Sequence, residues 1–159
     1  MKTNRSVSRL NAVQALYQNA LTQENFDRIL KDFLAGNVGK ELIEENPYTD
    51  AESFVPVMAA EPSLFSGIIS AYVQRRNDVD EMITACLKND FSKSSSGVLF
   101  WSVLSAGVTE LLSFPETPVA VIINEYVDIA QSFYGSNAPE VGVANGILRQ
   151  IAKNVREAD

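Results

Sequence analysis

The chain has 159 residues, of which 46 % are hydrophobic and 21 % charged, proportions that are typical of one globular domain and argue against a disordered or fibrous chain. One cysteine, Cys86, and no histidine exclude an intramolecular disulfide, a cysteine–histidine nucleophile pair, a histidine acid or base, and zinc sites built on imidazole or several thiolates. The net charge of −7 has the wrong sign for a protein whose whole surface binds nucleic acid, and no apolar run suits a leader or a membrane span, so we expect a soluble cytoplasmic protein without membrane contact.

The N-terminal arm, residues 1–23, is basic in an otherwise acidic chain. It holds Lys2, Arg5 and Arg9 and no acidic residue, which predicts a small electrostatic contribution to phosphate binding. On composition alone, the same charges are equally typical of a solvated end that aids solubility. Periodicity predicts a first helix here, capped by Ser6 or Ser8, with one apolar face made of Val7, Leu10, Val13, Leu16, Tyr17 and Ala20.

Three more helices are predicted in the first half of the chain. The second covers residues 26–34, where apolar side chains fit the helical repeat completely. A solvated and mobile connection follows over about residues 37–60. The third helix opens at Pro62, and the fourth is capped by Asn77 or Asp78.

A polar, serine-rich stretch at residues 88–97 is interpreted as the boundary between two helical halves. We therefore expect one domain, residues 1–159, made of two subdomains at about 1–90 and 95–159. The fifth helix, residues 98–112, is apolar nearly all round and is predicted to be the central buried element, with its tryptophan in the core.

Two helices complete the chain. The sixth is predicted to have Thr117 as N-cap and Pro118 as first helical residue. The seventh begins near Pro139 and contains Gly142 and Gly146, whose spacing predicts close approach to another helix. The sequence thus predicts an all-α fold of about seven helices in two small subdomains.

Catalytic motifs are missing from the sequence. It contains no P-loop, dinucleotide-binding glycine pattern, HExxH or CxxC. Glu125 and Asp128 share one helix face, but a metal site needs more converging ligands. We predict a protein that is not an enzyme and has no metal or cofactor.

Four motifs occur in order at suitable spacing: RLNAVQALY at 9–17, ELL at 110–112, INEYV at 123–127 and VANGIL at 143–148. Together they resemble the NusB family of transcription antitermination factors over almost the whole chain, apart from a longer stretch at residues 37–61. The resemblance implies an all-α fold of seven helices in two small bundles.

The function implied by this resemblance is that of an RNA-binding adaptor. With the ribosomal protein NusE, family members hold boxA-type single-stranded RNA against elongating RNA polymerase and promote processive transcription of ribosomal RNA operons. Lys2, Arg5 and Arg9 would then contact phosphates, and the Tyr17 ring would stack on an unpaired base. Core packing is an equally good interpretation of Tyr17.

Departures from the family pattern leave an alternative open. The arm has fewer arginines than is usual, Gly142 and Val143 stand where a basic and an aromatic residue are common, and Ser105 stands where an arginine is expected. We therefore expect the partner protein to supply much of the positive surface for RNA. The alternative is a protein-interaction module of the same fold with weak or lost RNA binding, and the chain could also form a homodimer.

Overall fold

The computed structural model describes residues 4–35, 62–87 and 97–156, and within these ranges every regular element is a helix. The connection predicted at about residues 37–60 lies outside the described residues. The helices are α1 (Asn4–Thr22), α2 (Phe26–Leu34), α3 (Pro62–Cys86), α4 (Gly97–Ser113), α5 (Val119–Tyr134) and α6 (Pro139–Val155). The all-α prediction is confirmed.

The count of helices differs from the prediction because two predicted helices form one kinked element. Helix α3 continues through Asn77 and Asp78, and its backbone departs from helical geometry at Arg75, with φ −113° and ψ 20°. The predicted boundary between the third and fourth helices is therefore a kink, which lies two residues before Asn77, and the helix continues on both sides of it.

The helix ends are set by local capping residues, and one N-cap lies one residue away from its predicted position. The side chain of Asn25 caps α2 by accepting a hydrogen bond of 2.6 Å from the backbone N–H of Asp27. Pro139 lies in the first turn of α6, as predicted. The N-cap of α5 is Pro118, one residue later than predicted, and Thr117 is buried just before it.

Helix α4 lies at the centre, and the prediction that it is the central buried element is confirmed. All residues from Ser102 to Leu111 are buried, and α4 contacts α1, α3, α5 and α6. Trp101, by contrast, is only partly buried. Buried apolar side chains from all six helices join one continuous core around α4.

Two predicted packing faces are wrong in detail. In α1 the exposed Ala20 does not belong to the buried face, which instead includes three polar residues, Ser8, Arg9 and Asn11. In α6, a Cβ atom added to Gly142 or Gly146 would meet no atom within 4 Å apart from the adjoining backbone of its own helix, so no other described helix lies close to these glycines.

A membrane-spanning helix is not found in the described ranges, because none there combines the necessary length and apolar character.

Candidate nucleic-acid interface

The first turn of α1 carries the exposed part of the predicted RNA site. Arg5 is exposed there, one helical turn before Arg9. Lys2 lies outside the described residues. Among the arm's predicted phosphate contacts, Arg5 is therefore the one that the structure places at the surface.

Arg9 has a different environment, since its exposed fraction is only 1 %. Its Nε donates a hydrogen bond of 2.7 Å to Glu110 Oε2, and its Nη2 donates one of 3.1 Å to Glu110 Oε1. Its Nη1 donates a further hydrogen bond of 3.0 Å to Glu125 Oε1. This placement contradicts the predicted phosphate contact of Arg9, because all three guanidinium nitrogens already bind carboxylates inside the protein.

Two neutral side chains complete this buried ion network, which we define as Ser6, Arg9, Glu110, Glu125 and Tyr126. The Ser6 hydroxyl donates to Glu125, with oxygen distances of 2.7 and 3.0 Å to its two carboxylate atoms. The Tyr126 hydroxyl donates to Glu110 Oε2 at 2.5 Å. The network thereby joins α1 to α4 and α5 through hydrogen bonds to charged groups, the stronger kind.

Protonation in the network is fixed by burial and by the two carboxylates. Burial raises the pKa of Tyr126 well above its usual value, and the charge and hydrogen bond of Glu110 raise it further. For Arg9, burial alone would lower the pKa, but the hydrogen bond and charges of Glu110 and the charge of Glu125 outweigh it, so the pKa is raised. Arg9 is therefore charged and Tyr126 neutral at physiological pH.

Sequence reasoning missed this network, although one feature pointed to it. Glu110 lies in the most apolar helix of the chain, and a carboxylate in such a helix needs a cationic partner if it is buried. The sequence does not say which cation that is, because the partners are 101 and 116 residues apart.

Tyr17 is partly buried and does not lie beside Arg5. Twelve helical residues separate the two, which corresponds to roughly 18 Å along the axis and about 120° around it. Arg5 and Tyr17 therefore cannot contact the phosphate and the base of one nucleotide at the same time. Stacking by Tyr17 stays a prediction.

Arg156 is a second basic residue that acts inside the protein. From the end of α6, its guanidinium donates to the carbonyl oxygens of Leu111 at 2.9 Å and Phe114 at 2.6 Å, and also to those of Glu110 and Thr117. These acceptors include carbonyls that the end of α4 leaves without helical partners. Arg156, like Arg9, therefore bonds to groups of the protein itself.

The NusB family model matches residues 6–153. The transcription antitermination protein NusB of Sinorhizobium fredii is 35 % identical over 152 residues, covering 96 % of this chain and 88 % of the relative. The corresponding protein of Sphingopyxis alaskensis is 33 % identical over 154 residues, covering 97 % of this chain and 95 % of the relative.

Solved structures share the same fold. T. maritima NusB superimposes with a TM-score of 0.67 and 24 % identity, covering 99 % of this chain and 97 % of that one. The antitermination factors NusB and NusE in complex with double-stranded RNA give a TM-score of 0.66 at 19 % identity, covering 97 % of this chain and 99 % of the matched chain. At these identities the similarity shows the fold.

Proposed function

Because the chain belongs to the NusB family, we propose that it is a non-enzymatic transcription antitermination factor that binds boxA-type single-stranded RNA as a heterodimer with the ribosomal protein NusE. In this role it promotes processive transcription of ribosomal RNA operons. It acts in the cytoplasm and reaches the elongating RNA polymerase through the assembled complex.

The observation that carries the proposal is the extent of the family match. Residues 6–153 include nearly all of α1 and α6 and the whole of every helix between them. The relatives named above are matched over most of their own length, so the similarity is to the entire protein rather than to a shared segment.

The RNA contact proposed for this chain is small. Arg5 and Lys2 bind phosphates, while Tyr17 stacks on a base at a separate point of α1. With a net charge of −7, the isolated chain repels a polyanion at long range. A basic partner protein offsets this repulsion, so we expect the heterodimer to bind RNA much more tightly than the isolated chain.

Filter binding of a boxA RNA tests the proposal at two salt concentrations, with and without NusE. We expect sequence-preferring binding that is strong only with NusE. Arg5→Ala should flatten the dependence of log affinity on log salt by about one unit, because one phosphate contact is lost. Lys153→Ala, which removes an exposed charge from α6, is the matched control and should leave the slope unchanged.

Absence of sequence-preferring binding in the presence of NusE would refute the proposal. An unchanged slope in Arg5→Ala would instead show that RNA does not contact the start of α1.

One observation favours the second candidate function, a protein-interaction module with weak or lost RNA binding. The burial of Arg9 leaves Arg5 as the one exposed base in the described part of the arm. For this candidate, NusE binding persists while RNA affinity of the heterodimer equals that of NusE alone. Size-exclusion chromatography with and without NusE also tests self-association, the remaining expectation.

A further inference from the structure

Glu125 is the carboxylate of the buried ion network that reaches the surface. Its side chain is 22 % exposed, whereas that of Glu110 is fully buried. Glu110 by itself matches the charge of Arg9, which it holds through two hydrogen bonds. The network therefore has one carboxylate more than its single arginine needs, and charge balance does not account for Glu125.

The contacts of Glu125 hold the first two turns of α1 together from outside that helix. Its Oε1 accepts hydrogen bonds from Arg9 Nη1 at 3.0 Å and from the Ser6 hydroxyl at 2.7 Å, and its Oε2 lies 3.0 Å from the same hydroxyl. Both carboxylate oxygens thus bind α1. Ser6 and Arg9 are three residues apart on one helix face, so one side chain of α5 spans a turn of α1.

The first turn of α1 has little to stabilise it from within. The helix begins at Asn4, and its first turn contains no acidic residue that would interact favourably with the positive end of the helix dipole. The backbone N–H groups of a first turn have no helical acceptors, so such turns open readily. Arg5 lies in this turn, next to Ser6, and the position of its side chain therefore depends on whether the turn is closed.

Glu125 also has the wrong charge for a neighbour of an RNA contact. A carboxylate repels bound phosphate, so its removal should by itself tighten the binding of a polyanion. We propose instead that Glu125 is a positioning residue of the RNA site: through Ser6 and Arg9 it closes the first turn of α1 and thereby places Arg5 against the phosphate. This inference rests on the proposed function, in which Arg5 binds RNA.

The first test is the sign of the effect when this negative charge is removed. In boxA binding by the heterodimer with NusE, Glu125→Ala should weaken affinity by about three- to tenfold, which is the equivalent of one lost hydrogen bond. Asp128→Ala removes an exposed carboxylate one turn further along α5 and should leave affinity unchanged or higher. Unchanged or tighter RNA binding by Glu125→Ala overturns the proposal.

A double-mutant cycle separates positioning of Arg5 from a general structural role. In an Arg5→Ala background, Glu125→Ala should cause little further loss of RNA affinity, because the side chain that it positions is already missing. Glu125→Gln keeps one acceptor oxygen and should recover part of the affinity that Glu125→Ala loses. Losses that add fully would show that Glu125 acts independently of Arg5, which overturns the proposal.

Hydrogen exchange of the full chain, measured by NMR without NusE or RNA, tests the closed turn directly. In the helical pattern, the amide of Arg9 donates to the carbonyl of Arg5. Its exchange should be about tenfold faster in Glu125→Ala, because hydrogen bonds to a charged group are lost, while amides of the central helix α4 keep their rates. Equal exchange of the Arg9 amide in the variant and the wild type overturns the proposal.

Ser6→Ala provides a second variant if circular dichroism shows that Glu125→Ala does not fold. It removes the hydroxyl that binds Glu125 and leaves the pair with Arg9 in place. We expect the same changes in exchange and in RNA affinity, each smaller in size, and no change in either contradicts the proposal.

The outcomes for the wild type distinguish this inference from the proposed function. Failure of the wild-type heterodimer to bind boxA RNA overturns the proposed function and this inference with it. Normal wild-type binding that Glu125→Ala leaves intact overturns this inference alone.

Discussion

At the residue scale, Arg9 has the largest structural role of the basic side chains in α1. Its removal leaves Glu110 buried without its cationic partner, and such losses cost about 3–5 kcal/mol. We expect Arg9→Met to lower the free energy of unfolding by that amount in urea denaturation at neutral pH.

The matched control for this prediction is Arg28→Met. Arg28 also pairs with a glutamate, Glu24, at 3.5 Å, but its side chain is 77 % exposed. Exposed pairs contribute little, so we expect a change within about 0.5 kcal/mol. Similar losses in the two variants would show that the Glu110 contact does not carry the stability of the network.

The protonation of Tyr126 gives a second prediction, for alkaline pH. Its pKa is raised in the folded protein, so the unfolded chain loses this proton first as pH rises above about 10. Stability should therefore be fully present below pH of about 10 and then fall by up to about 1.4 kcal/mol per pH unit.

Urea denaturation of the wild type and of Tyr126→Phe across this pH range tests the prediction. The phenylalanine variant should be less stable at neutral pH, because Glu110 loses a donor, and should show a shallower alkaline fall. Tyr72, whose pKa is also raised, keeps part of the slope in both proteins. An unchanged slope in the variant would contradict the assignment.

The site could be predicted from the sequence only as far as α1 itself. The sequence predicts the helix, its basic start and its motif, but it does not predict which way each basic side chain points. Arg5 and Arg9 lie one turn apart and look equivalent in the sequence, yet one is exposed and the other buried. Carboxylates on α4 and α5 make the difference, and their positions depend on tertiary structure.

At the scale of the helices, we expect substitution of glycine by alanine to have opposite effects on stability at Gly107 and at Gly146. A Cβ atom at Gly107 would lie 3.0 Å from Leu148 Cδ2 and 3.3 Å from the Tyr126 ring, which the hydrogen bond to Glu110 holds in place. We expect Gly107→Ala to destabilise the protein by about 1–2 kcal/mol, since overpacking outweighs the gain in helix propensity.

Gly146→Ala is the control in an equally helical position. Apart from the adjoining backbone of its own helix, no atom lies within 4 Å of the added methyl group, so only the propensity gain remains and stability should rise by about 0.5–1 kcal/mol. Thermal or urea unfolding of both variants, compared with the wild type, measures these changes in stability. A loss of stability in Gly146→Ala would mean that this glycine packs against a neighbour after all.

Helices were more predictable than their boundaries and faces. The completely periodic segment at residues 26–34 matches α2. An amphipathic helix buries one apolar face, and that face can be recognised from the sequence without knowing which element packs against it. The sequence predicts a break in α3 at Asn77 or Asp78, which are good cap residues, but the backbone bends at Arg75 and the helix continues. Packing of α3 against α1 and α4 overrides the local capping preference.

At the scale of the whole molecule, the two expected subdomains share one core. Helix α1 contacts α2 and α3 from the first half of the chain and α4 and α5 from the second. The buried ion network fixes the same helix to α4 and α5. Neither half can unfold without exposing apolar surface and carboxylates that the other half covers.

We therefore expect a single cooperative unfolding transition for the full chain. Fluorescence of Trp101 reports on α4 beside α1 and α3, whereas far-UV circular dichroism reports on all helices together, so the two probes should give coincident curves in urea. Arg9→Met should move both curves to lower urea by the same amount. If it separates them instead, the halves are held together mainly by the ion network, and the core between them contributes less than its continuity indicates.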